Sequence, residues 1–125
     1  EISVARQAAR RATEENLEDI RQKLEACNSS RHNTTAYPAV DLEFHCAIAR
    51  ASKNDLLIQS MNVIKQYCFQ AISSYFTEDL AEAGADCHQK LFEALCAHNE
   101  DEAALYMSRH MANIISRIPQ NDPAE

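Results

Sequence analysis

Four side chains with metal-binding chemistry fall at positions that helical periodicity turns towards the protein core. Asp41 and His45 are four residues apart, so on one helix the carboxylate and the imidazole project from the same face about one turn apart. His88 and His110 each stand within an apolar helical pattern. A buried polar group needs a partner, and one cation would satisfy all four side chains together. Imidazole and carboxylate donors suit zinc, nickel, iron, manganese or cobalt.

The same residues also allow an interpretation without a metal. An Asp and a His at this spacing form an ordinary helix ion pair, worth about 0.2–0.5 kcal/mol, and core histidines are commonly held by hydrogen bonds. The spacing alone leaves both interpretations open. His32, in a polar segment, and His98, at a predicted helix end, are expected to have no role in the site.

The elements that position these residues are predicted to be helices. The 125 residues include one Gly and three Pro, too few for the many turns of a β-sandwich or barrel. Apolar periodicity and the capping residues Thr13, Thr77 and Asn99 predict an all-α fold, an antiparallel bundle of about six helices without strands or repeats. These helices cover roughly 2–12, 14–26, 38–51, 55–75, 78–97 and 100–118, with a polar loop at 28–36 and Pro119 ending the last helix. The fourth is apolar around much of its circumference, which predicts a central or interface position.

Composition excludes several classes of function for this segment. The net charge of −7 argues against direct nucleic acid binding, which needs a basic face. No apolar run approaches the roughly 20 residues that span a bilayer. The five cysteines form no CxxC pair, so we expect reduced thiols and a cytoplasmic location.

A resemblance to a known family extends over nearly the whole chain. Residues 41–54, DLEFHCAIARASKN, resemble a signature segment of the effector domain of GntR-family transcriptional regulators, of the fatty-acid-regulator C-terminal (FCD) type. The stretches 88–95, 101–104 and 107–111 resemble three further segments of that domain, in the same order. Ala8-Ala9 and Ala12-Thr13 resemble its beginning. Glu100-Asp101 departs from the family's Gly-Asp at a turn, away from the four candidate ligands.

The resemblance implies both a site and a role. In metal-binding members the ligands correspond to Asp41, His45, His88 and His110, and the expected ion is zinc or nickel in first place, then manganese, iron or cobalt. Residues 1–125 would be an effector-binding and oligomerisation domain, with an upstream winged helix-turn-helix domain absent from this segment. The expected protein is a homodimer that meets DNA only through that missing domain and makes no contact with membrane.

The effector that the resemblance implies is a small organic acid whose carboxylate completes the coordination of the metal. Its binding would shift the relative placement of two DNA-reading domains in a dimer. Arg6, Arg10 and Lys65 are candidate partners of that carboxylate. The sequence therefore predicts a ligand sensor that is not an enzyme.

Two other functions remain open from the residues themselves. A metal site of three histidines and one aspartate with open positions could activate water in a hydrolase or another metalloenzyme. The chain contains no HExxH, and no His has Asp or Glu three residues before it, as di-iron bundles require. The third function is a plain dimerisation bundle without any ligand.

Overall fold

The computed structural model describes residues 1–117, and this range contains six helices and no strand. They are α1 (Ile2–Arg11), α2 (Glu14–Ser29), α3 (Tyr37–Ala51), α4 (Asp55–Ser74), α5 (Glu78–Cys96) and α6 (Glu100–Arg117). The prediction of an all-α fold is confirmed. The predicted residues 118 and Pro119 at the end of the last helix lie outside the described range.

Side-chain caps fix where the helices begin. The hydroxyl of Thr13 accepts from the backbone of Asn16 at 3.1 Å, and the Asn16 side chain accepts in return from the backbone of Thr13 at 3.0 Å. The Thr77 hydroxyl caps α5 by accepting from the backbone N–H of Leu80 at 3.2 Å, and the Asn99 side chain caps α6 by accepting from the backbone N–H of Glu102 at 3.1 Å. Each cap satisfies a backbone N–H that has no partner within the helix. These three caps agree with the sequence prediction.

The core lies between α1, α3, α5 and α6. Helices α5 and α6 pack against each other and run antiparallel, with Asp79 near Arg117 and Lys90 near Tyr106, and α1 packs against α3 and α6. Small residues of α1, including Ala5, Ala8 and Ala9, are fully buried, which lets its backbone approach its neighbours closely. The largest fully buried apolar side chains come from α2, α3, α5 and α6: Ile20, Phe44, Ile48, Leu91, Leu95 and Met107.

Helix α4 lies on the outside of the bundle and packs chiefly against α3. Met61 is buried, whereas Leu56 is 75% exposed and Tyr67 is 73% exposed. Of the two positions that the apolar circumference predicted, the central one is therefore wrong. An apolar pattern reports affinity for some apolar partner, and it does not specify whether that partner is the protein's own core.

The end of α2 differs from the sequence prediction, and the described cysteines bear on the prediction of reduced thiols. Helix α2 continues to Ser29, three residues beyond its predicted end, and the backbone N–H of Ser30 still donates to the Ala26 carbonyl at 3.1 Å. Cys27, Cys46 and Cys87 are buried free thiols, and Cys96 is an exposed one. None of the helices between residues 1 and 117 is long and apolar enough to cross a membrane.

Candidate metal centre

Three helices bring the four predicted ligands together. Asp41 and His45 lie one turn apart on α3, His88 lies on α5 and His110 lies on α6. Each of the four offers one ligand atom, and these atoms lie within 4.8 Å of one another. Because α5 and α6 are antiparallel neighbours, residues 22 positions apart in the sequence face each other in the core. The convergence that the sequence predicted is present.

The distances within this cluster are those of groups that point at a common centre. Asp41 Oδ1 lies 3.3 Å from His88 Nε2 and 3.6 Å from His45 Nε2. His88 Nε2 lies 3.2 Å from His110 Nε2. Four donor atoms at such mutual distances can surround one ion, since metal–ligand bonds of about 2.0–2.2 Å separate neighbouring ligands by roughly 3–4 Å.

A metal fits the cluster because several of its buried polar atoms have no hydrogen-bond partner, although His88 Nε2 and His110 Nε2 lie within hydrogen-bond distance of each other. The three imidazoles are at most 5% exposed, and the Asp41 side chain is 13% exposed. Asp41 Oδ1, His45 Nδ1 and His110 Nδ1 make no hydrogen bond within the described part of the protein. Leaving buried polar atoms unsatisfied costs about 1–3 kcal/mol each. A cation would use the free carboxylate oxygen directly, and three imidazoles with one carboxylate form a donor set that divalent transition metals accept.

The charges in the cluster are strongly coupled. Burial opposes ionisation of Asp41, but the imidazoles of His45 and His88 outweigh burial and hold the pKa of this carboxyl well below its usual range. Burial lowers the pKa of His45, and the carboxylates of Asp41 and Glu1 more than reverse this effect, so its pKa lies above the usual value. Burial, then the charges of His88 and His45, lower the pKa of His110 to about 2. A neutral His110 can offer a ring nitrogen to a metal, whereas His45 must release its proton before it can do so.

Helix α5 makes room for the cluster at Gly84, the single glycine of the sequence. A Cβ atom at this position would lie 3.2 Å from His110 Cε1 and 3.5 Å from His110 Nδ1. The Phe44 ring packs against His88 from the other direction, with ring centroids 4.6 Å apart. The imidazoles thus have little freedom to leave the centre.

Glu1 is a neighbour of the cluster that the sequence analysis missed. Its Oε2 lies 3.6 Å from His45 Nδ1, and both atoms lack hydrogen-bond partners among the described residues. Metal-binding histidines commonly donate their second ring N–H to a carboxylate, which orients the ring. Glu1 is placed to do this after a shift of a few tenths of an ångström. No spacing pattern links residue 1 to residue 45, so only the packing of α1 on α3 reveals the pair.

A cavity of about 230 Å³ opens beside Asp41 and His45. Apart from these two residues and Glu1, the lining residues that the structure describes are apolar and come from α3, α4, α5, α6 and the α4–α5 connection: Leu42, Met61, Ile64, Phe76, Leu80, Met111 and Ile114. A small molecule in this cavity would therefore lie directly against two of the candidate ligands.

The three predicted effector contacts lie elsewhere. Arg6 pairs with Asp101 and Arg10 with Glu100, both at 2.8 Å and both linking α1 to α6 on the surface. Lys65 pairs with Glu43 at the rim of a larger groove of about 740 Å³ between α3 and α4. None of the three lines the cavity beside the cluster. The larger groove contains none of the four candidate ligands.

Residues 1–113 match the sequence model of the FCD domain. This chain belongs to the FCD domain family. The resemblance to the effector domain of GntR-family regulators is thereby confirmed. The match begins at α1 and ends within α6, and it includes all four residues of the cluster.

The similar curated proteins are regulators. The chain is 28% identical over 120 residues to the HTH-type transcriptional regulator LutR of Bacillus subtilis, covering 91% of the chain and 55% of LutR. It is 27% identical over 120 residues to the Uxu operon regulator of Haemophilus influenzae, covering 91% of the chain and 45% of that protein. The chain thus spans about half the length of these relatives. Neither relative is named as an enzyme, in agreement with the prediction for this chain.

Proposed function

We propose that this chain is the effector-sensing domain of a bacterial transcriptional regulator, and that it binds a divalent metal and a small organic acid. The observation that carries the proposal is the convergence of Asp41, His45, His88 and His110 within 4.8 Å, beside a cavity. The FCD family match supports the regulatory role. Zinc or nickel suits the donor set best, and manganese, iron or cobalt are alternatives.

Each residue of the centre has a distinct part in this function. His88 and His110 hold the ion from the α5–α6 side, and Asp41 and His45 hold it from α3 at the wall of the cavity. Bound there, the ion supplies a positive charge and an open position for an oxygen donor. Asp41 supplies one negative charge directly at the ion, and the carboxylate of Glu1 lies on the far side of the His45 ring. The positive charge at the open position favours a carboxylate oxygen over a neutral sugar or an amine.

The regulatory output is proposed from the relatives. Both are named as regulators, and the chain covers about half of each. We propose that the full-length protein has a further segment, equivalent to the half of these relatives that the chain does not cover, and that this segment reads DNA in the cytoplasm as in a helix-turn-helix regulator. We also propose that two copies of the present domain form the dimer. An acid that contacts both α3 and α6 would favour one arrangement of these helices over another. Because the acid binds the two arrangements with different affinity, its binding would shift the dimer towards the arrangement that it binds more tightly.

The test combines metal analysis with ligand-induced stabilisation. Protein purified without chelator should contain about one divalent ion per chain, measured by elemental analysis. Mono-, di- and tricarboxylates are then added to the metal-loaded and the chelated protein, and the melting temperature is followed. We expect acids to raise it only in the metal-loaded form. Protein without metal, or equal stabilisation of both forms, would contradict the proposed site.

A further inference from the structure

We propose that the cavity beside Asp41 and His45 selects an acid with one carboxylate and a short apolar tail. This inference rests on the proposed function, because it specifies which organic acid the same site accepts. The supporting observation is the polarity of the cavity wall, which is polar at the end beside the cluster and apolar elsewhere among the described residues.

The polar residues that line the cavity are Glu1, Asp41 and His45, and all three belong to the cluster or contact it. The remaining lining residues are Leu, Ile, Met and Phe side chains. No Ser, Thr, Asn, Gln, Lys or Arg side chain is among the lining residues described within 1–117. A sugar acid has more hydroxyls than these three residues can bind, so most of its hydroxyls would be buried among apolar side chains without a partner, which is unfavourable.

The charges of the cavity admit one carboxylate and oppose a second. One carboxylate can bind at the open position of the metal. A second carboxylate on the same ligand would lie either among the apolar side chains or near Glu1, whose own carboxylate is largely buried at the cluster. Neither location offers a cation among the described lining residues, so a dicarboxylate would lose the hydration of its second charge without compensation.

The size of the cavity sets the length of the tail. Apolar cavities of about 150 Å³ lined by Leu, Ile and Phe hold a benzene ring in other proteins. A cavity of about 230 Å³ therefore has room for a tail of roughly four to six carbons beyond the carboxylate. Met61 and Met111 line it, and their flexible thioethers can adjust to the shape of the tail.

The experiment measures affinities of zinc-loaded protein by calorimetry for acetate, butyrate, hexanoate, succinate and gluconate. We expect the affinity to rise about fourfold for each methylene from acetate to hexanoate. Succinate and gluconate should bind about tenfold or more weakly than butyrate. Tighter binding of succinate or gluconate than of butyrate would overturn the inference and leave the proposed function standing. If zinc binds but no acid does, both the inference and the proposed effector class fail.

A matched pair of variants on α4 locates the tail. Ile64 lines the cavity, and its neighbour Val63 is 54% exposed. We expect Ile64→Ala to lower hexanoate affinity several-fold while acetate affinity stays unchanged, and Val63→Ala to change neither. Equal losses for acetate and hexanoate in Ile64→Ala, or equal effects of the two variants, would overturn the placement of the tail against α4.

Discussion

Gly84 on α5 faces the imidazole of His110 on α6 so closely that a methyl group at position 84 would lie 3.2 Å from His110 Cε1. Glycine within a helix costs about 1 kcal/mol relative to alanine, and α5 carries this cost in its interior. The absent side chain leaves the His110 ring where its Nε2 reaches His88. The absence of a side chain at Gly84 therefore leaves the space that the His110 imidazole occupies in the candidate metal centre.

Gly84→Ala should weaken metal binding without unfolding the protein. The added methyl pushes His110 by a few tenths of an ångström, and we expect metal affinity to fall about tenfold, as for changes that disturb ligand orientation. The measurement is a titration with zinc in competition with a chromophoric chelator. As a control, in a His110→Ala background the same substitution has nothing to crowd, and it should raise the stability of the chelated protein by up to about 1 kcal/mol. Unchanged metal affinity in the single variant would contradict the role given to Gly84.

His88→Ala should remove the stabilisation that metal gives to the fold. Binding to the folded state alone adds about 4 kcal/mol when the free metal exceeds its dissociation constant a thousandfold. We expect wild type to melt at a clearly lower temperature after chelation, and His88→Ala to melt at the same temperature with and without metal. His32→Ala, an exposed histidine paired with Glu78, is the control and should respond like wild type. A variant at position 88 that still gains full stability from metal would exclude His88 as a ligand.

Glu1→Gln tests the orientation of His45. The substitution keeps the size of the side chain but removes the charge that faces His45 Nδ1 at 3.6 Å. We expect roughly a tenfold loss of metal affinity, the lower end of the range for partners that orient metal-binding histidines. The exposed Glu14, at the start of α2, provides the control Glu14→Gln. Equal affinities of the two variants would show that Glu1 does not assist the site.

Arg6→Ala and Lys65→Ala test two of the three predicted effector contacts, one on α1 and one on α4. Both side chains are about half exposed and already paired with carboxylates, Arg6 with Asp101 and Lys65 with Glu43. Water and salt screen an exposed ion pair, so removing one partner changes the electrostatic potential in the cavity only slightly. If the acid occupies the cavity at the cluster, its affinity should change by less than about twofold in either variant. A large loss in Lys65→Ala would instead place the acid in the groove between α3 and α4.

Local rules predicted the helices and the pairing of Asp41 with His45, whereas the assignment of all four candidate ligands to one site came from the resemblance to the FCD family. Capping by Thr13, Thr77 and Asn99 and the one-turn spacing of Asp41 and His45 can be read from short stretches of chain. The contacts of Glu1 with His45 and of Gly84 with His110 could not be read, because they depend on how closely helices pack. For a related reason the sequence left open whether α4 is central or at an interface. Its apolar residues face partly outwards, and periodicity does not distinguish an outward apolar face from an inward one.

The outer position of α4 has a consequence for how the domain would report a bound molecule. The helix supplies none of the four candidate ligands and packs chiefly against α3, yet Met61 and Ile64 form part of the cavity wall. A metal alone would thus tie α3, α5 and α6 together and leave α4 comparatively loose. An acid in the cavity would tie down α4 as well. Amide hydrogen exchange in α4 should slow when the acid binds, and exchange in α5 should change less. The local stability of α4 would then depend on whether the cavity is occupied.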